Sequence, residues 1–325
     1  MPSSPTCYTE TVRTRVLGKT GITCSEVALG TWGLSGDGYG PVAFDEQDRI
    51  IERARALGIS LVETSDVYAG GEMESRLGRM LHGNSSMVIA TKIGTCRVSS
   101  PPRKRFDSEW LTQSLAGSRR RLRRETLDVV LLHNPSLSTL ERGDACEWLI
   151  GRVRAGEIRA WGVSAGSGEV ASAALDAGAM VVQLAFNVLW VSDYRHVEAR
   201  LRESGTGFLA RSVLAHGLLC GYWSQDRAFD VGDHRRERWT VDELRQRLRH
   251  LNALRPNLTG GLSSLRAVAL RWVLSHPAVS SAVLGPRSAL QLDQLVRDAS
   301  SPIDALSETA LRALEARLQD AGARS

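Results

Sequence analysis

Short apolar runs alternate with segments of helical periodicity from residue 27 to residue 297. Runs of mainly apolar residues predict eight buried strands, at residues 27–30, 59–64, 87–91, 127–132, 158–163, 181–184, 207–210 and 279–284. Apolar residues that recur every three or four positions predict helices, at residues 45–57, 71–81, 108–124, 139–156, 168–177, 193–204, 263–275 and 288–297. This alternation over about 250 residues implies parallel βαβ units and favours a closed (β/α)8 TIM barrel.

An open doubly wound sheet is the alternative fold for such an alternation. Dinucleotide-binding sheets of that kind carry Gly-x-Gly-x-x-Gly after the first strand, whereas the glycines in residues 30–36 have a different spacing. Outside the repeats, residues 13–25 predict a β-hairpin that can plug one end of the barrel, and residues 307–318 predict an extra C-terminal helix. We therefore predict a flexible N-terminus over residues 1–12 and a single barrel domain over residues 13–325.

Two connections are too long to be simple turns. Residues 97–106, with two prolines and four basic residues, follow the third predicted strand, and residues 220–240 follow the seventh. In a (β/α)8 barrel the loops after the strands form the catalytic face. Both segments are therefore predicted to be lids over a binding pocket, and the alternative is decoration of the surface.

Composition excludes several classes of partner. The net charge is +5, and its arginine runs at 119–121 and 235–236 lack interleaved aromatic residues, which favours a solvated basic face over a nucleic-acid groove. Five scattered cysteines without Cys-x-x-Cys or Cys/His spacing indicate reduced thiols, a cytoplasmic protein and no metal site. No apolar run is long enough to predict a membrane span, and no pattern sets an oligomeric state.

Ionisable residues end three consecutive predicted strands. They are Glu63, Lys92 and His133, and Tyr68 follows the first of them closely enough to turn back over the same site. The carboxyl ends of barrel strands meet at one mouth, so we expect these four side chains to lie together. Lys92 is expected to stabilise a phenolate, and so to lower the pKa of Tyr68 and make it a proton donor, while Glu63 neutralises the lysine. His133 is expected to orient a carbonyl oxygen.

The sequence resembles the aldo-keto reductase superfamily over nearly its whole length. The matching segments are Gly30-Thr-Trp-Gly33, Glu63-Thr-Ser-Asp-Val-Tyr68, Ala90-Thr-Lys-Ile-Gly94, Leu127-Asp-Val-Val-Leu-Leu-His-Asn-Pro135, Ile158-Arg-Ala-Trp-Gly-Val-Ser164, Gln183-Leu-Ala-Phe-Asn187, Ser212-Val-Leu-Ala-His-Gly-Leu-Leu219 and Val283-Leu-Gly-Pro-Arg287 with Gln291. The resemblance implies a (β/α)8 barrel that is a metal-free oxidoreductase and reduces a small aldehyde or ketone substrate. Its implied cofactor is NADPH, with NADH as the alternative.

The resemblance also implies roles for individual residues. Tyr68 matches the general acid, Lys92 and Glu63 match its electrostatic partners, and His133 matches the residue that orients the carbonyl. Arg287 implies NADPH, because a guanidinium can bind the 2′-phosphate through two donors. The positions that match cofactor-binding residues are Thr31, Ser164, Gln183, Phe186, Ser212, Leu214, Gly217, Gly285, Arg287 and Gln291. In this set Phe186 is expected to stack on the nicotinamide, and Trp32 and Phe106 are expected to lie beside the substrate.

Three positions depart from the family pattern. The family usually has Asp at the position of Glu63, and Asn at the positions of Ala165 and Leu295. These departures leave an alternative function open: a nicotinamide-nucleotide-binding barrel with little redox turnover, acting as a sensor or assembly subunit, or a barrel that catalyses a non-redox step. The presence of Tyr68, Lys92 and His133 together favours the reductase, since a binding module does not need an acid.

Overall fold

Eight parallel strands form a closed barrel in the computed structural model, which describes residues 12–96, 102–255, 264–300 and 306–320. In chain order its strands are β3 (Val27–Gly30), β4 (Leu61–Glu63), β5 (Val88–Ile93), β8 (Leu127–His133), β9 (Ile158–Ser164), β10 (Val181–Ala185), β11 (Gly207–Arg211) and β12 (Val279–Leu284). The barrel closes where β12 pairs with β3. Each strand predicted from an apolar run is present, so the predicted TIM barrel is confirmed.

Helices surround the barrel. They are α1 (Phe44–Ala56), α2 (Glu72–Met80), α3 (Ser108–Leu122), α4 (Leu137–Arg142), α5 (Asp144–Arg154), α6 (Gly168–Asp176), α7 (Ser192–Ser204), α8 (Val241–Leu254), α9 (Leu265–Leu274), α10 (Ala289–Ala299) and α11 (Glu308–Asp320). The last of these is the predicted C-terminal helix. Their inner faces pack on the outward-facing strand residues and form the larger part of the core.

Three helix predictions need correction. The segment predicted as one helix over residues 139–156 contains two, because Gly143 has a φ of 81° and ends α4 before α5 begins. The helix predicted over residues 45–57 begins at Phe44, so Asp45 lies inside its first turn, and the N-cap is Ala43, which makes no side-chain capping bond. Helix α8 was not predicted, although Thr240 and Glu243 form a capping box at its start.

An antiparallel hairpin plugs the amino end of the barrel, as predicted. It consists of β1 (Thr14–Val16) and β2 (Thr23–Ser25), and its side chains join a separate core cluster inside the barrel. At the turn, Lys19 donates its backbone N–H to the Gly205 carbonyl at 2.6 Å. Gly18 has a φ of 51°, and a Cβ there would lie 2.1 Å from the Gly207 nitrogen, so this close approach requires glycine.

Along each strand every second side chain points into the barrel, because successive side chains of a β-strand point to opposite faces of the sheet. Leu61, Ala90, Leu131 and Leu209 lie in the interior cluster, and each is two positions before a polar residue at or next to the carboxyl end of its strand. The interior face of these strands therefore leads to those polar side chains. This register determines which residues reach the mouth of the barrel.

Candidate active site

Strand geometry brings Glu63 and Lys92 into a buried ion pair. Both follow an interior residue by two positions, and their side chains are 6% and 3% exposed. The Lys92 ammonium donates to the Glu63 carboxylate and, at 2.7 Å, to the Thr64 carbonyl. Burial lowers the pKa of Lys92, and the Glu63 carboxylate opposes this by stabilising the ammonium.

Tyr68 turns back over this pair, as predicted. It begins a short 3-10 segment, Tyr68–Gly71, directly after β4. The Lys92 Nζ lies 4.7 Å from the centroid of the Tyr68 ring, and the His133 ring lies 6.2 Å from it at an angle of 86°. Among the described residues the Tyr68 hydroxyl has no hydrogen-bond partner, and its ring forms part of the cleft wall. The four residues predicted to meet at one mouth do so.

The direction predicted for the pKa of Tyr68 is wrong. Burial raises this pKa well above 10, and the negative charge of Glu63 raises it further, whereas Arg211 lowers it. The physical reason is first the burial of the phenol, which disfavours its charged form, and then the carboxylate of Glu63, which accompanies the Lys92 ammonium and adds negative charge. Tyr68 is consequently a protonated phenol at neutral pH, and it can still serve as a proton donor.

A hydrogen-bonded chain continues from Glu63 across the barrel. Gln183 donates from its Nε2 to Glu63 at 3.0 Å and accepts from the Ser164 hydroxyl at 2.7 Å. Ser164 lines the cleft, whereas Gln183 is fully buried behind it. Gln183 thus holds the Glu63 carboxylate and the Ser164 hydroxyl in fixed positions relative to each other.

His133 is held by a second set of polar contacts. Its Nδ1 lies 3.1 Å from the Ser65 hydroxyl, which also donates to Asp66 at 3.3 Å. Lys104 donates to the His133 carbonyl at 2.7 Å. Burial, with the negative charge of Glu74, raises the pKa of Asp66 to about 7.

We expect Asp66→Asn to stabilise the protein more at pH 8 than at pH 5. The unfolded carboxyl ionises near its ordinary pKa of 3.8 and the folded one near 7, so ionisation of Asp66 opposes folding increasingly between these values. At 1.36 kcal/mol per unit of pKa difference, the gain in unfolding free energy reaches at most about 4 kcal/mol above pH 7. Thermal unfolding at both pH values measures it, with the exposed Asp226→Asn as the control. An equal gain at both pH values contradicts the expectation.

A cleft of about 1310 Å³ opens on these residues at the carboxyl end of the barrel. Eight lysine and arginine side chains line it against three carboxylates, those of Asp37, Glu63 and Asp193. Two of the cleft-lining arginines, Arg247 and Arg287, have a buried Nε that finds no hydrogen-bond partner among the described residues. A cationic cleft with unpartnered donors fits an elongated anionic ligand such as a dinucleotide.

The cleft wall contains most of the residues predicted to bind the cofactor. These are Ser164, Ser212, Leu214, Gly217, Gly285, Arg287 and Gln291, and Trp32, expected beside the substrate, lines the cleft as well. In the loop after β11, the consecutive residues Ala215, His216 and Gly217 have positive φ angles of 46°, 59° and 96°. Successive left-handed residues turn backbone N–H groups to one side, and such concave turns bind phosphate.

Four predicted residues do not line the cleft. Thr31 and Gln183 are buried directly behind it, where Thr31 donates to Thr64 at 3.0 Å. Phe106 packs in the core against the backbone of Gly94, so its expected position beside the substrate does not agree with the structure. Phe186 also requires correction.

Phe186 points away from the cleft, so the expected stacking on a nicotinamide ring does not agree with its position. It follows β10 on the outward face and is fully buried. Its ring stacks on Tyr194 at 4.0 Å between centroids and contacts Trp272 at 4.8 Å. The residue before it, Ala185, lines the cleft instead.

Arg287 lines the cleft but also binds protein. It donates to the carbonyls of Tyr39 at 2.6 Å, Gly40 at 3.2 Å and Pro41 at 3.0 Å. Its Nε remains buried without a partner. A phosphate at this end of the cleft would therefore share the guanidinium with the loop that contains Tyr39.

The second predicted lid folds against the loop after β3. His234 donates its backbone N–H to the Gly38 carbonyl at 2.8 Å, and Asp233 pairs with Tyr39 in an isolated antiparallel β-bridge. The ring centroids of Trp32 and His234 lie 4.8 Å apart. Of the first predicted lid, residues 97–101 lie outside the described part of the chain. The rest begins with β7 (Arg103–Lys104), which pairs with β6 (Thr95–Cys96).

Arg211 is a cleft residue that the sequence analysis missed. It is the last residue of β11 and lines the cleft, two positions after the interior residue Leu209. The signal was available: the same rule that selects Glu63, Lys92 and His133 selects Arg211. The predicted strand ends at residue 210, and Arg211 is the first polar residue after it, as Lys92 and His133 are after theirs.

The described residues contain neither a membrane-spanning helix nor a cluster of metal ligands. None of their helices combines the length and low polarity needed to cross a bilayer, and none of their His, Cys, Asp and Glu side chains form a group of three or more that could hold a metal ion. Their four cysteines, Cys24, Cys96, Cys146 and Cys220, are free thiols.

The fold and the site define a (β/α)8 barrel with a cationic cleft at the carboxyl end of its strands. The sequence model of the Aldo/keto reductase family matches residues 26–316. The chain therefore belongs to this family, in which NAD(P)H-dependent reduction of carbonyl groups is general.

Individual relatives agree with this assignment. A glycerol dehydrogenase from Gluconobacter oxydans is similar in structure, with a TM-score of 0.83, 25% identity and 98% of both chains covered. The aldo-keto reductase YhdN of Bacillus subtilis (strain 168) is 26% identical over 85% of both chains. A protein of Oryza sativa subsp. japonica named "Probable voltage-gated potassium channel subunit beta" is 27% identical over 85% of this chain and 88% of its own.

Proposed function

We propose that the protein reduces an aldehyde or ketone to an alcohol with NADPH, and that Tyr68 is the general acid. The observation that carries this proposal is the position of the Tyr68 hydroxyl, which belongs to a cleft-lining residue and has no partner among the described residues. A neutral phenol placed there can donate a proton to a carbonyl oxygen. His133, on the same wall and held by Ser65 at 3.1 Å, orients that oxygen.

Lys92 and Glu63 serve the acid through their charges. Donation leaves a phenolate on Tyr68, and the Lys92 ammonium, 4.7 Å from the ring centroid, stabilises this negative charge as it develops. Glu63 holds the ammonium in place and prevents an isolated buried cation before the reaction. The Lys92 charge therefore lowers the cost of forming the phenolate, which burial and the Glu63 charge raise.

The cofactor is the source of the electrons. When bound, NADPH supplies a hydride to the carbonyl carbon. The chain would hold it with Ser164 at the nicotinamide end, with the backbone of Ser212 to Gly217 at the pyrophosphate, and with Gly285, Arg287 and Gln291 at the adenosine end. The excess of cationic over acidic residues in the cleft supports NADPH over NADH, since the 2′-phosphate adds two negative charges.

The proposal is tested by mixing the purified protein with NADPH and a panel of aldehydes and ketones while the absorbance of the reduced nicotinamide is followed. We expect loss of absorbance that requires a carbonyl compound, and a lower Kd for NADPH than for NADH by tryptophan fluorescence quenching. Binding of NADPH without turnover across the panel contradicts the reductase. Failure to bind either nucleotide contradicts the cofactor assignment and favours a non-redox reaction.

A second candidate is a nucleotide-binding barrel with little turnover that acts as a sensor or an assembly subunit. One observation favours it: a relative of similar length carries the name of a potassium channel subunit. In this case NADPH would bind, and replacement of Tyr68 would leave both binding and the low rate of turnover unchanged.

A further inference from the structure

Arg211 places an uncompensated positive charge at the catalytic mouth of the barrel. It ends β11 on the interior face, and its Nη2 donates to the Ala165 carbonyl at 3.0 Å. That bond fixes the guanidinium beside the strand end that carries Ser164. Its charge acts on Tyr68 and Glu63, so it lies at the acid's end of the cleft.

No carboxylate within the described ranges forms an ion pair with Arg211. Glu63 is bound by Lys92 and Gln183, and Asp193 accepts from the Gly168 backbone at 2.7 Å. A guanidinium has five N–H donors, and a single one is used here. The unused donors of Arg211 are not among the buried unpartnered atoms, so they reach the cleft.

An uncompensated guanidinium in a cleft is an anion site, because burial of a charge without a partner is unfavourable. We propose that Arg211 binds a carboxylate of the substrate, and that the protein prefers aldehydes or ketones that carry one. This rests on the proposed function, since it names the substrate class of the same site. A planar guanidinium can bind a carboxylate through two parallel hydrogen bonds, which also fixes the direction in which the carbonyl faces Tyr68.

The position of Arg211 favours a substrate carboxylate over the pyrophosphate of the cofactor. Arg211 is tied to Ala165, next to the Ser164 hydroxyl that would face the nicotinamide. The nicotinamide is neutral when reduced and cationic when oxidised, so it supplies no anion there. The pyrophosphate is assigned to the following loop, where the consecutive left-handed residues Ala215, His216 and Gly217 turn backbone N–H groups to one side.

The test compares 4-carboxybenzaldehyde with its neutral methyl ester, 4-(methoxycarbonyl)benzaldehyde, which has a similarly activated carbonyl group. We expect kcat/KM of the unaltered protein to be at least about 10-fold higher for the acid. Arg211→Gln is expected to lower kcat/KM for the acid about 10- to 100-fold and to change that for the ester less than about 3-fold. Arg211→Lys keeps the positive charge and loses the two parallel donors of the guanidinium. Its kcat/KM for the acid is expected to lie between those of the unaltered protein and of Arg211→Gln.

Two controls show whether the effect of Arg211→Gln is specific to the substrate carboxylate and whether the variant is still folded. Arg227→Gln removes another cleft-lining charge, and it is expected to leave the ratio of acid to ester unchanged. Thermal unfolding of each variant checks that the barrel is intact. If Arg211→Gln instead weakens NADPH binding about 10-fold and lowers kcat/KM equally for the acid and the ester, Arg211 binds the cofactor and the proposal is overturned.

The proposal remains testable if the protein turns over neither aldehyde. Calorimetric titration with 4-(hydroxymethyl)benzoate and with its methyl ester then reports binding of the anion alone. Binding of the acid that is lost in Arg211→Gln supports the site while the reductase fails. Equal binding of acid and ester, or equal kcat/KM where turnover exists, overturns the site and leaves the reductase standing.

Discussion

Tyr68→Phe is expected to lower kcat for carbonyl reduction by about 10²- to 10⁴-fold, the range over which a positioned acid contributes to catalysis. The variant removes one oxygen atom that has no hydrogen-bond partner among the described residues, so the fold should be unaffected. The Kd for NADPH should also stay unchanged, since the ring remains. Steady-state kinetics, fluorescence titration and thermal unfolding measure these three quantities.

A matched control for this variant is Tyr222→Phe. Tyr222 also lines the cleft, is 71% exposed and accepts a hydrogen bond from Arg266 at 3.1 Å. We expect it to retain kcat. If Tyr68→Phe and Tyr222→Phe reduce the same substrates at the same rate as the unaltered protein, Tyr68 is not the acid.

Lys92→Met is expected to lower the free energy of unfolding by about 3–5 kcal/mol, and to lower kcat as well. Removal of the ammonium leaves the Glu63 carboxylate buried with Gln183 as its remaining side-chain donor, and an uncompensated buried charge is strongly destabilising. Urea unfolding measures the stability change. The exposed ion pair between Arg49 and Asp45 supplies the control, since Arg49→Met should change stability far less.

The double variant Lys92→Met with Glu63→Gln separates stability from catalysis. It removes both charges, so most of the lost stability should return, because a neutral pair needs no counter-charge. The activity should not return, since the cation that stabilises the phenolate is still absent. Recovery of kcat together with stability would show that the pair supports the fold alone.

The sequence predicts the barrel well because each strand is buried on both faces. Such strands read as continuous apolar runs, and the first polar residue after a run marks the mouth of the barrel. Glu63, Lys92 and His133 were found in this way, and the structure brings them together with Tyr68.

The errors at the site arise from the face of the strand on which a residue lies. Leu209 is inside the barrel, so Arg211 must face the mouth, and Ala185 faces it on β10, so Phe186 must face the helices. A period of two therefore selects Arg211 and excludes Phe186 from sequence alone, once the strand ends are known. The ends were the uncertain quantity, since apolarity does not show where β-pairing stops.

The pKa of Tyr68 could not be predicted in the same way. It depends first on how deeply the phenol is buried and then on the charge of Glu63, whose position is set by its contact with Lys92 on the neighbouring strand. One methylene more or less in the carboxylate changes that contact without changing the strand pattern.

The hairpin at the amino end has a consequence for the order of events in a turnover. Leu17 and Ile22 fill the bottom of the barrel together with the interior side chains, so ligands approach the catalytic residues from the opposite end. Under the proposed function, the dinucleotide and the carbonyl compound both enter through the cleft at the carboxyl end of the barrel. The ligand that binds deeper must then bind first and dissociate last, so the closed amino end favours an ordered sequence of binding and release.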